Sequence, residues 1–523
     1  MISYQNDPSA RLLKTYFPPF KGTWKTLPSH LLPDDVLQDS MNVTLLSGKL
    51  RSRLGLLEFD TADFNTNIVG SFLFIDVGNS KFPIASTSTK LYKYDGGWME
   101  MTGGLALMPA TQVKMASIQI GNSVYLLYAN GTDTVKFSNN GAILQNITPY
   151  IDPVTGASTI PILKDICTSF NRIVGFSPPY VVTWCSALTS SYLNFTNWPA
   201  SNQTVLSDTE DSIVAIATLG TLNLAIYKEG NIFVGLAQAG SDSQAFRFEH
   251  RGQYEGPAGV QAVVKALGGH VYMTPTGRIG YFDGTQQQWL ADGLWPFLQD
   301  DIDLTYAENI FGVYNYKTSE IYFWYPKVGD SGLLKGMVTL NTIYPTAGIT
   351  TVSYFLGETA FHCSNGLSVP LFNASKNPLV FGNPTFPVNT HKTFSLDKDT
   401  YTDNNVSFQC SMKTGLFKPA PLAAISQGFT QSKDNSDIYR PIIELYVERN
   451  VSKGLVTVSP LTSNSLENDG DLGDFEVIDL TKMVPNEFIG SNNSGSFLGL
   501  NLSWDSLALV SYKGCDIYGR AAN

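Results

Sequence analysis

Residues 269–284 read GHVYMTPTGRIGYFDG, two short apolar and aromatic runs that are joined and bounded by turn residues. Runs of β-branched and aromatic residues between Gly, Pro and Thr are typical of the paired strands of a hairpin. A connection this short leaves no room for a crossover helix, so the two strands must be antiparallel. The stretch therefore predicts an antiparallel β fold.

The same pattern of two short apolar runs bounded by turn residues recurs along the chain, most clearly at 121–131, 171–185 and 312–326. The first strand of each repeat is predicted to begin near one of seven residues: Ile68, Val113, Ile166, Ile213, Val260, Ile310 and Tyr354. Successive starts are roughly 44 to 53 residues apart, which is the spacing of four-stranded propeller blades rather than of helical repeats. We therefore predict an all-β protein with a β-propeller of about six or seven blades, closed by an N-terminal strand near residues 49–59.

Composition supports a turn-rich β protein. The chain has 523 residues, with 45 Gly, 27 Pro, 12% aromatic and only 15% charged residues. Its formal net charge of -11 argues against a protein that binds nucleic acid tightly, because neutralising phosphates requires a basic face. Two interpretations of the acidity remain. It is an ordinary acidic surface, or it lines a channel through which nucleic acid passes without sticking.

The order of the patterns predicts four segments. Residues 1–60 form an extended arm and a closing strand pair, and residues 61–372 form the propeller. Residues 373–395 are rich in Pro, Asn, Gly and Ser and are predicted to be a linker or surface excursion. Residues 396–523 contain further alternating or apolar runs and are predicted to form a C-terminal β-sandwich-like domain.

Neither cysteines nor histidines predict a metal or cofactor site. The five cysteines are widely spaced without a CxxC motif and are interpreted as buried thiols in a reducing compartment: Cys167, Cys185, Cys363, Cys410 and Cys515. The five histidines lack ligand spacing: His30, His250, His270, His362 and His391. His270 lies within an apolar strand, where a hydrogen-bonded structural imidazole is more common than a ligand or base. The acidic stretch 467–474 suggests a calcium loop but lacks the Glu that ends such a loop.

The search for catalytic residues gives no site. Gly-X-Ser-X-Gly is absent, and Ser494-Gly495-Ser496 has no strand-to-helix turn around it. The acidic pairs Asp34-Asp35 and Asp300-Asp301 could serve a glycosidase, but such pairs are common in a chain with 45 carboxylates. The N-terminus lacks a basic segment followed by an apolar core, and no long apolar run predicts a membrane span. We therefore predict a non-enzymatic product of the cytoplasm that needs no cofactor.

A set of short motifs carries a family resemblance. Asp39-Ser40-Met41-Asn42-Val43 leads through a turn to Arg51-Ser52-Arg53-Leu54-Gly55, and the closing run is Lys513 to Arg520. Between them lie 170–174 with 182–186 and 192–195, the stretch 277–284, and the hairpin 315–318. Together these resemble the tail nozzle or tail hub proteins of short-tailed bacteriophages, also called packaged-DNA stabilisation proteins. Leu54 stands where that family often has Pro.

The resemblance implies a structural virion protein of a podovirus, made in the host cytoplasm and located in the tail. It implies a sixfold ring of this chain below the portal and the adaptor, or head-to-tail connector. Such a ring would extend the channel for double-stranded DNA, retain the packaged DNA before ejection and anchor tail fibres or spikes. Trp289 and Trp295 either pack within the core or bury against adjacent subunits.

A different class of function competes with this one. A propeller lectin or glycan depolymerase that acts on host surface polysaccharide would show exposed tryptophans and, for the depolymerase, a pair of carboxylates on the propeller face. A peptide-binding propeller with Gly-His and Trp-Asp repeats is disfavoured, because that signature is missing from the sequence.

Overall fold

The computed structural model describes residues 10–16, 21–33, 35–46, 48–152, 156–188, 193–342, 352–369, 377–384, 388, 390–397, 400–416, 439–447, 452–463, 471–472, 475–482, 488–490, 497–508 and 510–521. Within these ranges the fold is an antiparallel β-propeller joined to a two-sheet β-sandwich. The predicted all-β propeller with an appended sandwich-like domain is confirmed.

Six strands precede the first blade: β1 (Ala10–Tyr16), β2 (Gly22–Thr23), β3 (Val36–Met41), β4 (Val43–Leu46), β5 (Lys49–Ser52) and β6 (Gly55–Asp60). The first blade contains β7 (Gly70–Ile75), β8 (Lys81–Ser86), β9 (Leu91–Tyr94) and β10 (Trp98–Glu100). The second contains β11 (Lys114–Ile120), β12 (Ser123–Ala129), β13 (Lys136–Asn139) and β14 (Gln145–Asn146), followed by the hairpin β15 (Ile151–Asp152) and β16 (Gly156–Ala157).

The third blade contains β17 (Asp165–Ser169), β18 (Arg172–Ser177), β19 (Val181–Trp184) and β20 (Gln203–Val205). The fourth contains β21 (Ile213–Leu219), β22 (Asn223–Lys228), β23 (Ile232–Ala237) and β24 (Phe246–Gly252). The fifth contains β25 (Val263–Ala266), β26 (Gly269–Met273), β27 (Ile279–Phe282) and β28 (Gln287–Leu290). Helix α1 (Trp295–Asp301) follows, and short 3-10 turns lie at Ser29–Leu31, Asn194–Thr196, Asp242–Gln244 and Leu304–Asn309.

The last two blades share one long strand. The sixth contains β29 (Phe311–Asn315), β30 (Glu320–Pro326), β31 (Leu334–Asn341) and the first half of β32 (Ser353–Leu367). The second half of β32 begins the seventh blade, which continues through β33 (Leu379–Asn383) and β34 (Lys392–Asp397). Its outermost strand is β6, from the N-terminal part of the chain. The innermost strand of the seventh blade contacts those of the sixth and the first, so the ring has seven blades.

The sandwich is built from both ends of the chain. Its remaining strands are β35 (Gln409–Thr414), β36 (Tyr439–Val447), β37 (Leu455–Ser463), β38 (Asp471–Leu472), β39 (Glu476–Asp479), β40 (Phe488–Gly490), β41 (Phe497–Asp505) and β42 (Tyr512–Ala521). One layer has the order β3-β35-β41-β37, and the other has β4-β5-β42-β36-β40. A shared apolar core that includes Leu45, Leu502 and Ile517 lies between the layers.

Turn residues and apolar alternation account for the blades. Gly277 has a φ of +85°, which favours glycine, and a Cβ there would lie 2.6 Å from the Leu298 side chain. Asn171 takes a similar left-handed conformation between β17 and β18. Inward-facing residues of neighbouring blades pack together, as Ile166 of the third blade does with Leu127 of the second. Each blade therefore depends on its neighbours for its core.

The segment boundaries differ from the sequence-based division. The segment 373–395 contains β33 and the start of β34, which are strands of the seventh blade rather than a linker. Residues 1–60 supply sandwich strands in both layers as well as the outer strand of the seventh blade. The sequence missed these pairings because they join residues that are hundreds of positions apart, where no local pattern records the partner.

Candidate functional site

A buried ion pair joins the propeller to the sandwich. The Arg53 guanidinium donates to both carboxylate oxygens of Asp403, at 3.0 and 2.5 Å, and the two side chains are 1% and 0% exposed. Its other N–H groups donate to Asn42 Oδ1 and to the carbonyls of Leu54 and Glu358. All five donors of the guanidinium are therefore satisfied, which is the condition under which a buried charge is tolerated.

The residues around Arg53 complete this junction. The Asn42 side chain also donates to the Gln409 carbonyl and accepts from the Glu358 N–H, so it links three distant segments. A Cβ at Gly55 would lie 2.3 Å from the Thr402 carbonyl oxygen, so the close approach of these strands requires glycine. Asn42, Arg53 and Gly55 belong to the N-terminal motif of the family resemblance, and in this structure they hold the two lobes together.

A series of side-chain hydrogen bonds connects neighbouring blades around the central channel. Ser71 Oγ donates to the Gly366 carbonyl at 2.8 Å, linking the first blade to the seventh. Thr168 Oγ1 donates to the Ser117 carbonyl at 2.8 Å, and Thr218 Oγ1 donates to the Thr168 carbonyl at 2.9 Å. These bonds lock the innermost strands in register, because each satisfies a carbonyl at the edge of the adjacent blade.

His270 continues this series as a structural residue. Its Nε2 lies 3.0 Å from the Thr218 carbonyl, which can only accept, so Nε2 carries the proton and Nδ1 accepts from the Tyr227 hydroxyl at 2.8 Å. Burial lowers the pKa of His270 to about 4, so the imidazole is neutral at pH 7. With both ring nitrogens occupied, His270 has no lone pair for a metal or a substrate.

Two glutamines close one end of the channel. Gln261 precedes the innermost strand of the fifth blade, and its Nε2 donates to the Val113 carbonyl of the second blade at 2.9 Å. Gln112 of the second blade donates to the Glu308 carbonyl beside the sixth blade at 2.5 Å. These bonds span the ring between opposite blades, and the cavity beside them has a volume of about 90 Å³. This end has room for a few water molecules at most and is too narrow for a DNA duplex.

A buried carboxylate lies beside the channel. Asp165 is 1% exposed, and its Oδ2 accepts from the Ile216 N–H of the fourth blade at 2.9 Å. Burial raises the pKa of Asp165 to about 6, and the positive charge of Lys114 offsets this effect only in part. In the folded chain Asp165 therefore takes up a proton as the pH falls through about 6.

An aromatic cavity lies where the N-terminal segment meets the fifth and sixth blades. It has a volume of about 440 Å³ and is lined by Trp24, Trp289 and Tyr354 among others. The Arg278 guanidinium lies 5.0 Å from the ring centre of Trp289 and 3.7 Å from that of Trp295. Trp289 and Trp295 are thus partly buried and held by an internal cation–π contact.

The remaining histidines and thiols lie apart from one another, with one exception. His250 bonds Asn231, and His30 lies in a 3-10 turn. His362, Cys363 and His391 instead line one cavity of about 230 Å³ on the seventh blade, together with Asn383. The sequence could not bring them together because it assigned residues 373–395 to a linker. Cys167 is partly buried, and the other four thiols are buried and free.

The acidic candidates do not form a paired site in the described ranges. Asp301 accepts from the Tyr325 hydroxyl at 2.9 Å, and Asp35 pairs with Lys21 at 3.2 Å. Asp34, Ser494-Gly495-Ser496 and most of the stretch 467–474 lie outside the described residues. Among the residues that the structure does describe, no three His, Cys, Asp or Glu side chains come together in a way that could hold a metal ion. Across the same ranges, no helix is long and apolar enough to cross a bilayer.

The fold and its channel define the chain as a β-propeller protein. Among solved structures it is similar to virginiamycin B lyase from Staphylococcus aureus, with 8% identity and a TM-score of 0.40 over 66% of this chain and 100% of that one. It is also similar to YCF48 from Cyanidioschyzon merolae, with 10% identity and a TM-score of 0.36 over 65% of this chain and 99% of that one. No protein-family model matches the chain, and no curated protein matches it.

Proposed function

We propose that this chain is a structural subunit of a short-tailed phage virion, forming the tail nozzle or hub ring. The observation that carries the proposal is the junction of Asn42, Arg53 and Gly55. The N-terminal motif that resembles the nozzle family is also the element that binds propeller and sandwich into one body. A subunit in the wall of a tail must keep its two lobes fixed under load, and a fully bonded buried charge network favours one arrangement of them.

The closed end of the propeller channel is the reason for placing the DNA path between subunits. Because Gln112 and Gln261 span one end of the propeller axis, a duplex cannot run through a single copy. A ring of several copies would instead enclose the duplex between them. The net charge of -11 suits such a wall, because an acidic surface repels phosphates and lets DNA move. The adaptor above the ring and the fibres or spikes around it are the partners that this role requires.

The test is the mass of the full chain in solution. Native mass spectrometry and negative-stain microscopy at high protein concentration should show a closed ring, with six copies as the expected number. The same measurement at high salt should preserve the ring if apolar contacts hold it. A chain that stays monomeric, both alone and after mixing with the adaptor protein of the same particle, would overturn the proposal.

A further inference from the structure

We propose that the aromatic cavity at Trp24 and Trp289 is a binding site for a neutral saccharide. This site lies where the N-terminal segment meets the fifth and sixth blades. Its volume of about 440 Å³ falls in the range of small-ligand sites and is suited to one or two sugar rings. The inference does not depend on the ring proposed above.

The walls of the cavity fit the two faces of a pyranose ring. Trp24, Trp289 and Tyr354 supply flat apolar surfaces for the C–H face of a sugar. Lys21, Thr26 and Asp292 supply polar groups for its hydroxyls. Asp292 is exposed, and a carboxylate can accept hydrogen bonds from two neighbouring hydroxyls. A mixed lining of this kind is typical of sites that orient a ligand through a few polar contacts.

The site is also preorganised. Arg278 lies against Trp289 and against Trp295, so the indole that lines the cavity is held before any ligand arrives. A Cβ at Gly293 would lie 2.6 Å from the Trp24 ring and 2.7 Å from the Tyr354 hydroxyl, so glycine allows both side chains to pack against the backbone at this position. The Trp24 indole N–H is a buried donor without an acceptor among the described residues. A buried donor without an acceptor destabilises the folded chain, and a hydrogen bond to a ligand or to water would remove that penalty.

The Trp289 ring attracts a second cation only weakly, and the paired Lys21 attracts an anion only weakly. Trp289 already has one cation, Arg278, near its ring, which weakens the attraction of the ring for a second one. Lys21 is paired with Asp35 at 3.2 Å, so it offers little net positive charge to an anion. What remains is an aromatic surface with hydroxyl-binding groups, which is the chemistry of a neutral sugar.

The experiment screens the purified full chain on an array of bacterial surface polysaccharides and measures each hit by titration, following tryptophan fluorescence. Wild type should bind at least one neutral oligosaccharide, and Trp289→Ala should weaken binding about tenfold or more. Asp292→Asn should weaken it without changing the thermal midpoint, because Asp292 is exposed. Trp289→Phe keeps an aromatic wall and should retain most of the affinity. Trp98→Ala, on the first blade, is the matched control and should bind as wild type does.

Three results would overturn the inference. The array shows no binding, or binding survives both Trp289→Ala and Asp292→Asn, or a proline-rich or aromatic peptide occupies the cavity in place of sugar. None of these outcomes affects the ring, whose test is the solution mass. A monomer that binds sugar at this site would instead support the lectin alternative.

Discussion

The first five blades and the seventh blade have the same four-stranded form but are assembled in different ways. Each of the first five comes from one continuous stretch of chain, in which successive hairpins pair with their neighbours. The seventh takes its outer strand β6 from a segment that precedes all the other blades, and the sandwich likewise combines both ends. The comparison shows that local hairpins build most of the ring, while a long-range strand pairing closes it and one buried ion pair joins it to the sandwich.

The largest expected effect is at the ion pair that joins the propeller to the sandwich. Arg53→Leu should lower the free energy of unfolding by about 3–5 kcal/mol, because it leaves the Asp403 carboxylate buried without its partner. Urea denaturation followed by fluorescence measures the change. Lys90→Ala is the control, since Lys90 and Glu100 form an exposed pair within the first blade. Equal unfolding midpoints for the two variants would contradict the role given to the junction.

The closing strand should be more sensitive than an outer strand of a continuous blade. Leu56 is 0% exposed and faces Leu396 across the β6–β34 pairing, so Leu56→Ala should cost about 2–5 kcal/mol. Met99 lies on the outer strand of the first blade and is 48% exposed, so Met99→Ala should stay within about 0.5 kcal/mol. Thermal and urea unfolding of both variants test the difference. Similar losses would mean that closure depends on other contacts.

The continuous blades and the seventh blade also differ in how much of them could be predicted from the sequence. The starts near Val113 and Ile213 fall at the innermost strands β11 and β21, because hydrophobic alternation and turn residues are local signals. The predicted start near Tyr354 falls instead in the first half of β32, which is the outermost strand of the sixth blade. The second half of β32 is the innermost strand of the seventh blade. The partner of Arg53 is 350 residues away, and no local pattern indicates it. The aromatic cavity was missed for the same reason, since Trp24 and Trp289 meet only in the fold.

Two buried groups should give stability opposite dependences on pH. The pKa of His270 is lowered to about 4 in the fold, so the unfolded chain binds the extra proton and stability falls as pH drops from about 6.5 to 4. The pKa of Asp165 is raised to about 6, so the folded chain binds the proton first and stability rises as pH drops from about 6 to 4. Each effect is on the order of 3 kcal/mol over its range, so the two largely cancel.

Single substitutions separate the two groups. Relative to wild type, His270→Gln should become more stable as pH falls from 6.5 to 4, and Asp165→Asn should become less stable. Urea midpoints measured at several pH values give the slopes, and the double variant should again be nearly flat with respect to wild type. Slopes of the same sign in the two single variants would show that His270 and Asp165 are not the source of the pH dependence of stability.

The smallest expected effect is at the closed end of the channel. Gln261→Ala removes one hydrogen bond between opposite blades and should cost about 1 kcal/mol. Gln119→Ala is the control, because the Gln119 side chain is exposed and donates to the nearby Gly121 carbonyl within its own blade. A urea series on both variants is sufficient. An unchanged midpoint for Gln261→Ala would mean that the bond across the channel contributes little to the ring.

We propose that copies of this chain form the wall of a phage tail. Cryo-electron microscopy of virions purified from the phage that encodes the chain tests it most directly. We expect copies of a seven-bladed propeller in a ring below the adaptor, with the DNA path running between the copies. Purified virions that lack the chain, or density that places DNA through the axis of a single propeller, would contradict it.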